Sequence, residues 1–159
     1  SMKHVASDGG RLVLIDATMQ SNVGREIVLA SGPAGADLTD ALEHDGILYT
    51  AGYSSETIDR FDVASSVWLT PINVGDAVTS LGIAADTIIA GTVTDGLFLI
   101  ENGSIRTNIP AGQDQNSNSQ YIVDIAAVGD CTTTQGCQIL FIQEDAAYRA
   151  DVDLSLIHI

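Results

Sequence analysis

One order of short apolar segments and turns runs through this chain more than once, and such a period constrains the fold more than any single motif does. Leu38-Thr39-Asp40-Ala41-Leu42 precedes a turn at His44-Asp45-Gly46. Then come Ile47-Leu48-Tyr49-Thr50-Ala51-Gly52, the alternating Thr57-Ile58-Asp59-Arg60-Phe61-Asp62, and Val67-Trp68-Leu69. The order recurs from Val78-Thr79-Ser80-Leu81, through Ile88-Ile89-Ala90-Gly91-Thr92 and Leu97-Phe98-Leu99-Ile100-Glu101, to Ile105-Arg106-Thr107-Asn108-Ile109. It opens again at Val123-Asp124-Ile125-Ala126 and runs through Leu140-Phe141-Ile142 to Ala147-Tyr148-Arg149-Ala150-Asp151. Ahead of these, His4-Val5-Ala6, Leu12-Val13-Leu14-Ile15-Asp16 and Glu26-Ile27-Val28-Leu29 match the last three segments of a unit whose first is missing. Runs this short, alternating in polarity and bounded by turn residues, read as strands, and helical periodicity is absent.

Four strands per unit, repeating about every 40 to 45 residues, is the pattern of a β-propeller. The chain is therefore expected to be all-β, a partial propeller of about three and a half four-stranded antiparallel blades. The blades are placed at 4–32 (incomplete), 38–74, 78–111 and 121–153, in a single domain over 1–153. A β-sandwich also has short strands and frequent turns, but it would not repeat one internal order. The second unit resembles a kelch-type blade, with Leu48-Tyr49 before Ala51-Gly52, then Phe61-Asp62 and Trp68. It departs from kelch in having one glycine of the doublet. The third unit, with Ala90-Gly91-Thr92 and Asp95-Gly96-Leu97-Phe98, is similar to the propeller repeats of two-component sensor ectodomains. The acids Asp16, Asp62, Glu101 and Asp151 each end one strand of a unit and read as turn punctuation rather than as catalytic carboxylates.

Charge narrows the partners. The 159 residues carry 21 acidic against 6 basic side chains, a formal net charge of -15. Such a surface repels phosphate backbones and anionic leaflets, which disfavours nucleic acid and peripheral membrane binding. An acid-rich surface with Lys3 as its one lysine stays soluble at high ionic strength, which suits a saline or marine exterior. No apolar run is long enough to span a bilayer. Cys131 and Cys137, spaced C-x5-C across a Thr/Gly turn, are expected to close a hairpin loop as a disulfide, with two unpaired thiols as the alternative. A disulfide points to an extracellular or cell-surface location.

The ends are read as ragged. The start at Ser1-Met2 suggests a cloning scar or a reading frame already in progress. Leu154-Ser155-Leu156-Ile157-His158-Ile159 is what CTGTCTCTTATACACATC encodes, a string that resembles the transposon mosaic end used to build sequencing libraries. The expectation is a truncated metagenomic fragment with a non-native tail over 154–159, its missing blades belonging to the same parent chain. An ordinary apolar last strand is the alternative.

Chemistry is sparse. His4, His44 and His158 are widely spaced, and no ligand spacing or nucleophile elbow accompanies them. The pairs Asp59/Asp62 and Asp151/Asp153 fall near strand ends and read as solvated turns or turn caps. Asp114, Asn116 and Asn118 open a calcium-loop pattern, but Ser119 and Ile125 stand where Gly and Glu are required. Gly46, Gly91, Gly96 and Gly103 are placed at or beside turns. Tyr49, Phe61, Trp68 and Phe98 are read as sheet-packing residues rather than as a ligand cage. No catalytic residue, cofactor or metal site is expected. The leading reading is a non-enzymatic surface module for protein or glycan recognition. The alternatives are a fragment of a propeller hydrolase or lyase, with Asp40, Ser80 and Asp124 as candidates on the innermost strands, and a structural repeat of a large surface protein.

Overall fold

The computed structural model describes residues 3–8, 11–16, 25–31, 38–110, 121–129, 131, 136–143 and 147–151, with side chains from residue 38 to residue 150. These residues form fourteen strands in four antiparallel sheets, each a meander in chain order. The first sheet holds β1 (Lys3–Asp8), β2 (Arg11–Asp16) and β3 (Arg25–Ser31). The second holds β4 (Leu38–His44), β5 (Ile47–Gly52), β6 (Thr57–Asp62) and β7 (Val67–Asn73). The third holds β8 (Val78–Ala84), β9 (Thr87–Thr92), β10 (Leu97–Glu101) and β11 (Ser104–Ile109), and the fourth β12 (Ile122–Val128), β13 (Gln138–Gln143) and β14 (Ala147–Asp151). The arrangement is all-β and propeller-like, as the repeat implied.

Register explains why the acids recur. Asp16 pairs with Lys3, Asp62 with Ile47 and Asp151 with Gln138, in each case the first residue of the neighbouring strand. Thr87, the first residue of β9, donates its hydroxyl to Glu101 (3.0 Å). By this register β1–β3 correspond to β5–β7, and no counterpart of β4 lies among the described residues. In the same way β12–β14 correspond to β4–β6. The 152–153 end of the expected fourth blade and the 154–159 tail lie outside the described residues.

Two-residue turns join three strand pairs, and two of them carry glycine at the second position. Asp45-Gly46, Ala85-Asp86 and Asn102-Gly103 all have positive φ at both central positions, the two-residue hairpin geometry that matches strand twist. Asp62 caps the β6–β7 turn by accepting from Ala64 and Ser65 N–H (2.9 and 3.2 Å), which holds its carboxyl below the usual range. Pro71 sits in β7, where Thr70 and Pro71 together oppose Asp59. A bulge on an outer strand tolerates the missing N–H.

Two apolar layers hold the sheets face to face. Tyr49, Ala51, Ile58 and Ile72 pack on Val78, Leu81, Ile88 and Phe98 between the second and third sheets. Ile89, Leu97, Leu99 and Ile109 pack on Ile122, Ile139, Phe141 and Ala150 between the third and fourth. Adjacent residues of β9 therefore serve opposite layers, which is why Ile88-Ile89-Ala90 is apolar without interruption. At about 25 cal/mol per Å2 of apolar surface removed from water, each large side chain so buried contributes roughly 1.5 to 3 kcal/mol. Gly91 is not a turn residue as the sequence suggested. It lies within β9, where a Cβ would stand 2.5 Å from Ile122 Cγ2 and 2.6 Å from Ser80 Oγ, so close sheet packing requires the glycine.

Candidate functional site

The first strands of the second, third and fourth sheets share one device. In each, the second residue is bulged out of register with the neighbouring strand: Thr39, Thr79 and Val123. Freed from pairing, the threonines reach across. Thr39 Oγ1 donates to the Val78 carbonyl (2.8 Å), and Thr79 Oγ1 donates to the Ile122 carbonyl and approaches the Gly91 carbonyl at 3.1 Å. The candidates Asp40, Ser80 and Asp124 are the next residues along. Asp40 accepts from Ala41 N–H (2.7 Å) and, across the sheet boundary, from Leu81 N–H (2.8 Å). Asp124 repeats the intrastrand bond, accepting from Ile125 N–H at 2.8 Å. Ser80 Oγ is buried without a partner among the described residues. Asp40 is a staple between sheets, and no base or second nucleophile is seen to converge on Ser80, so the geometry gives the three no joint catalytic arrangement.

Other acids are also structural. Asp59 is buried in β6 rather than solvated at a turn, because alternation points it away from the Tyr49 face. Burial pushes its carboxyl up, against a hydrogen bond with Thr57. Asp76, which no sequence pattern singles out, ties the linker after β7 to the β9–β10 turn. It accepts from Ala77 N–H (2.8 Å), Thr94 N–H (2.7 Å), Thr94 Oγ1 (3.0 Å) and Asp95 N–H (3.0 Å). Burial pushes the Asp76 carboxyl up, but these bonds outweigh it and hold it below the usual value. The linker glycine before it and the Thr-Asp-Gly turn downstream carry what signal there is, with Thr94 18 residues away.

A cleft of about 190 Å3 opens between the second and third sheets, at the end where the two-residue turns cluster. His44 closes β4 at its rim. Its Nε2 stands 3.6 Å from Asp45 Oδ2 and 4.0 Å from Asp86 Oδ1. The imidazole is largely covered at 18% exposure, whereas the two carboxylates are 87% and 88% exposed. Tyr49, Ile88 and Ile100 supply the wall, and Asn102 and Gly103 the far lip. The Arg60 guanidinium lies where a side chain on Gly103 would stand, and the positive φ of 74° at Gly103 favours glycine at this lip. The site offers exposed negative charge, one titratable ring and an aromatic surface. Among the described residues no group of three or more His, Cys, Asp and Glu is placed to hold a metal ion.

The remaining expectations divide. Tyr49, Phe61 and Phe98 are buried, and Phe61 meets Trp68 edge to face at 5.1 Å. Cys131 and Cys137 form a disulfide with Cα atoms 4.5 Å apart, and Cys137 is buried in the layer facing the third sheet. Asp114, Asn116, Asn118, Asp153 and His158 lie outside the described residues. His4 is described as backbone of β1 and Asp151 as backbone of β14.

No protein-family model and no curated protein matches the chain. Solved structures do. The computationally designed Ika8 protein is similar over 93% of this chain and 45% of its own, with 13% identity and a TM-score of 0.59. Kuenenia stuttgartiensis hydrazine synthase is similar over 91% of this chain and 41% of its own, with 11% identity and a TM-score of 0.65. The computationally designed Ika4 protein is similar over 94% and 84%, with 12% identity and a TM-score of 0.62. The likeness is one of fold. The chain spans less than half the length of the first two. No helix among the described residues is long and apolar enough to cross a membrane.

Proposed function

We propose that the chain is a non-enzymatic recognition module of an extracellular or cell-surface protein, and that it binds a protein or glycan ligand at the turn-lined cleft. The observation that carries this reading is the cleft itself. Asp45 and Asp86 project from neighbouring sheets onto one rim, with His44 between them and Tyr49 in the wall. The two-residue turns hold that rim rigid, which lowers the ordering cost of binding. Two exposed carboxylates favour a ligand bearing positive charge, a lysine- or arginine-bearing protein segment ahead of a neutral glycan. The Cys131–Cys137 disulfide is compatible with an oxidising exterior. The kelch-type pattern of the second unit supports the same assignment, since Phe61 and Trp68 pack on each other as blade residues.

Glycan and peptide arrays probed with the chain test this. A basic peptide is expected to bind, and Asp45→Asn with Asp86→Asn to abolish the signal while the melting temperature holds. Silence on both arrays, or binding untouched by the double substitution, overturns the reading.

A further inference from the structure

The turn-lined cleft carries opposite charge at its two ends. Asp45 and Asp86 stand exposed on the rim beside His44. At the far lip, beyond Tyr49, Ile88 and Ile100, the Arg60 guanidinium lies against Gly103. Register puts it there. Arg60 of β6 stands directly opposite Tyr49 of β5, so both side chains leave the second sheet on the face that meets the third. Arg60 Nε donates to the Thr70 carbonyl at 2.9 Å, at the bulge where Thr70 and Pro71 together oppose Asp59. That bond anchors the guanidinium and leaves its two terminal nitrogens beside Gly103. The ion pairs among the described residues are those of His44 and Arg106, so the Arg60 fork has no carboxylate partner among them.

Resting on the reading of this cleft as a site for a basic segment, we infer that its ligand is the carboxyl terminus of a protein chain ending in lysine or arginine. The side-chain cation meets Asp45 and Asp86, and the stem lies along Tyr49 and Ile88. The terminal carboxylate takes the Arg60 fork, whose parallel donors match its two oxygens. Spacing agrees with this. The β8–β9 and β10–β11 turns, which carry Asp86 and Gly103, lie two strand intervals apart in the third sheet, roughly 9 to 10 Å. A basic residue at a chain end bears its two charges at opposite ends of a flexible stem, and that gap is within its reach. Charge also sets the direction of entry, because the rim acids repel the carboxylate and Arg60 repels the cation. A lysine inside a chain brings a neutral peptide group to the far lip and leaves the fork unused.

Calorimetric titration of the chain with two peptides tests this: acetyl-Gly-Ser-Gly-Lys as the free acid, and the same peptide as its terminal amide. The free acid is expected to bind about tenfold or more tightly than the amide. Arg60→Gln is expected to bring the free acid down to the affinity of the amide. The amide itself should bind the variant as it binds the parent, which shows that the cleft survives the substitution. Asp45→Asn with Asp86→Asn is expected to weaken both peptides. Equal binding of acid and amide by the parent chain overturns the proposal and leaves the basic-segment reading standing, a comparison that needs no variant. A preference for the acid that persists in Arg60→Gln also overturns it, because the carboxylate is then held elsewhere. Binding of neither peptide overturns both readings together.

Discussion

The boundary between the second and third sheets and that between the third and fourth are built on one register but closed by different chemistry. At the first, Asp40 reaches over to the Leu81 N–H, and Thr39 to the Val78 carbonyl. At the second, Ser80 stands in the place of Asp40 and has no partner among the described residues, while Gly82 and Gly91 let Ile125 and Ile122 press against β8 and β9. A threonine hydroxyl crosses both boundaries, from Thr39 to Val78 and from Thr79 to Ile122; the first adds the Asp40 staple and the second the glycine-permitted apolar approach.

Substitutions can break each boundary by its own means. The largest effect is expected at Gly91→Ala, where the new methyl would meet both Ile122 and Ser80 in a buried setting. Urea denaturation should show a loss of about 3 kcal/mol or more, while Gly82→Ala, which meets the Ile125 Cγ2 methyl at 2.8 Å and no second side chain, should cost less, about 1 to 2 kcal/mol. Asp40→Ala removes an acceptor from two backbone N–H groups and should cost about 2 kcal/mol by the same measurement.

Asp76→Ala sharpens the contrast with pH. The Asp76 carboxyl is held below its ordinary value of 3.8, so its contribution is present above the unfolded value and is lost as pH falls through the lower folded one. At pH 7 the substitution should cost about 1 to 2 kcal/mol, and the gap between variant and parent should close in strong acid, as parallel melts at the two pH values would show. Ser80→Ala should be the mildest. Its hydroxyl has no partner among the described residues, so stability should stay within about 0.5 kcal/mol or rise slightly, and a clear loss would reveal a partner for that oxygen.

Strand order and sheet number were legible because both are written in local patterns. Alternation in Thr57–Asp62, the apolar run at Ile88–Ala90 and the acids closing β2, β6, β10 and β14 need no knowledge of what packs on them. The disulfide was legible for the same reason, its two cysteines flanking one turn. The staples were not. Thr39 and Asp40 act on residues 39 and 41 positions away, and at the sequence level they look like any other polar pair on a strand. Asp59 misled because its neighbour Asp62 does cap a turn, whereas the face on which Asp59 lies is decided by register. His44 and Asp86 meet because two hairpins from successive units point the same way. Gly91 resembled a turn glycine because the close approach of Ile122 depends on a segment about thirty residues downstream.

The bulged threonines also give the series a direction. Each hydroxyl hands a bond forward to the following sheet, from Thr39 to Val78 and from Thr79 to Ile122, and Val123 has no hydroxyl to hand on. In an array whose units touch nearest neighbours alone, cooperativity is set by such links. Among the described residues this hydroxyl coupling runs from the second sheet to the fourth and stops at Val123.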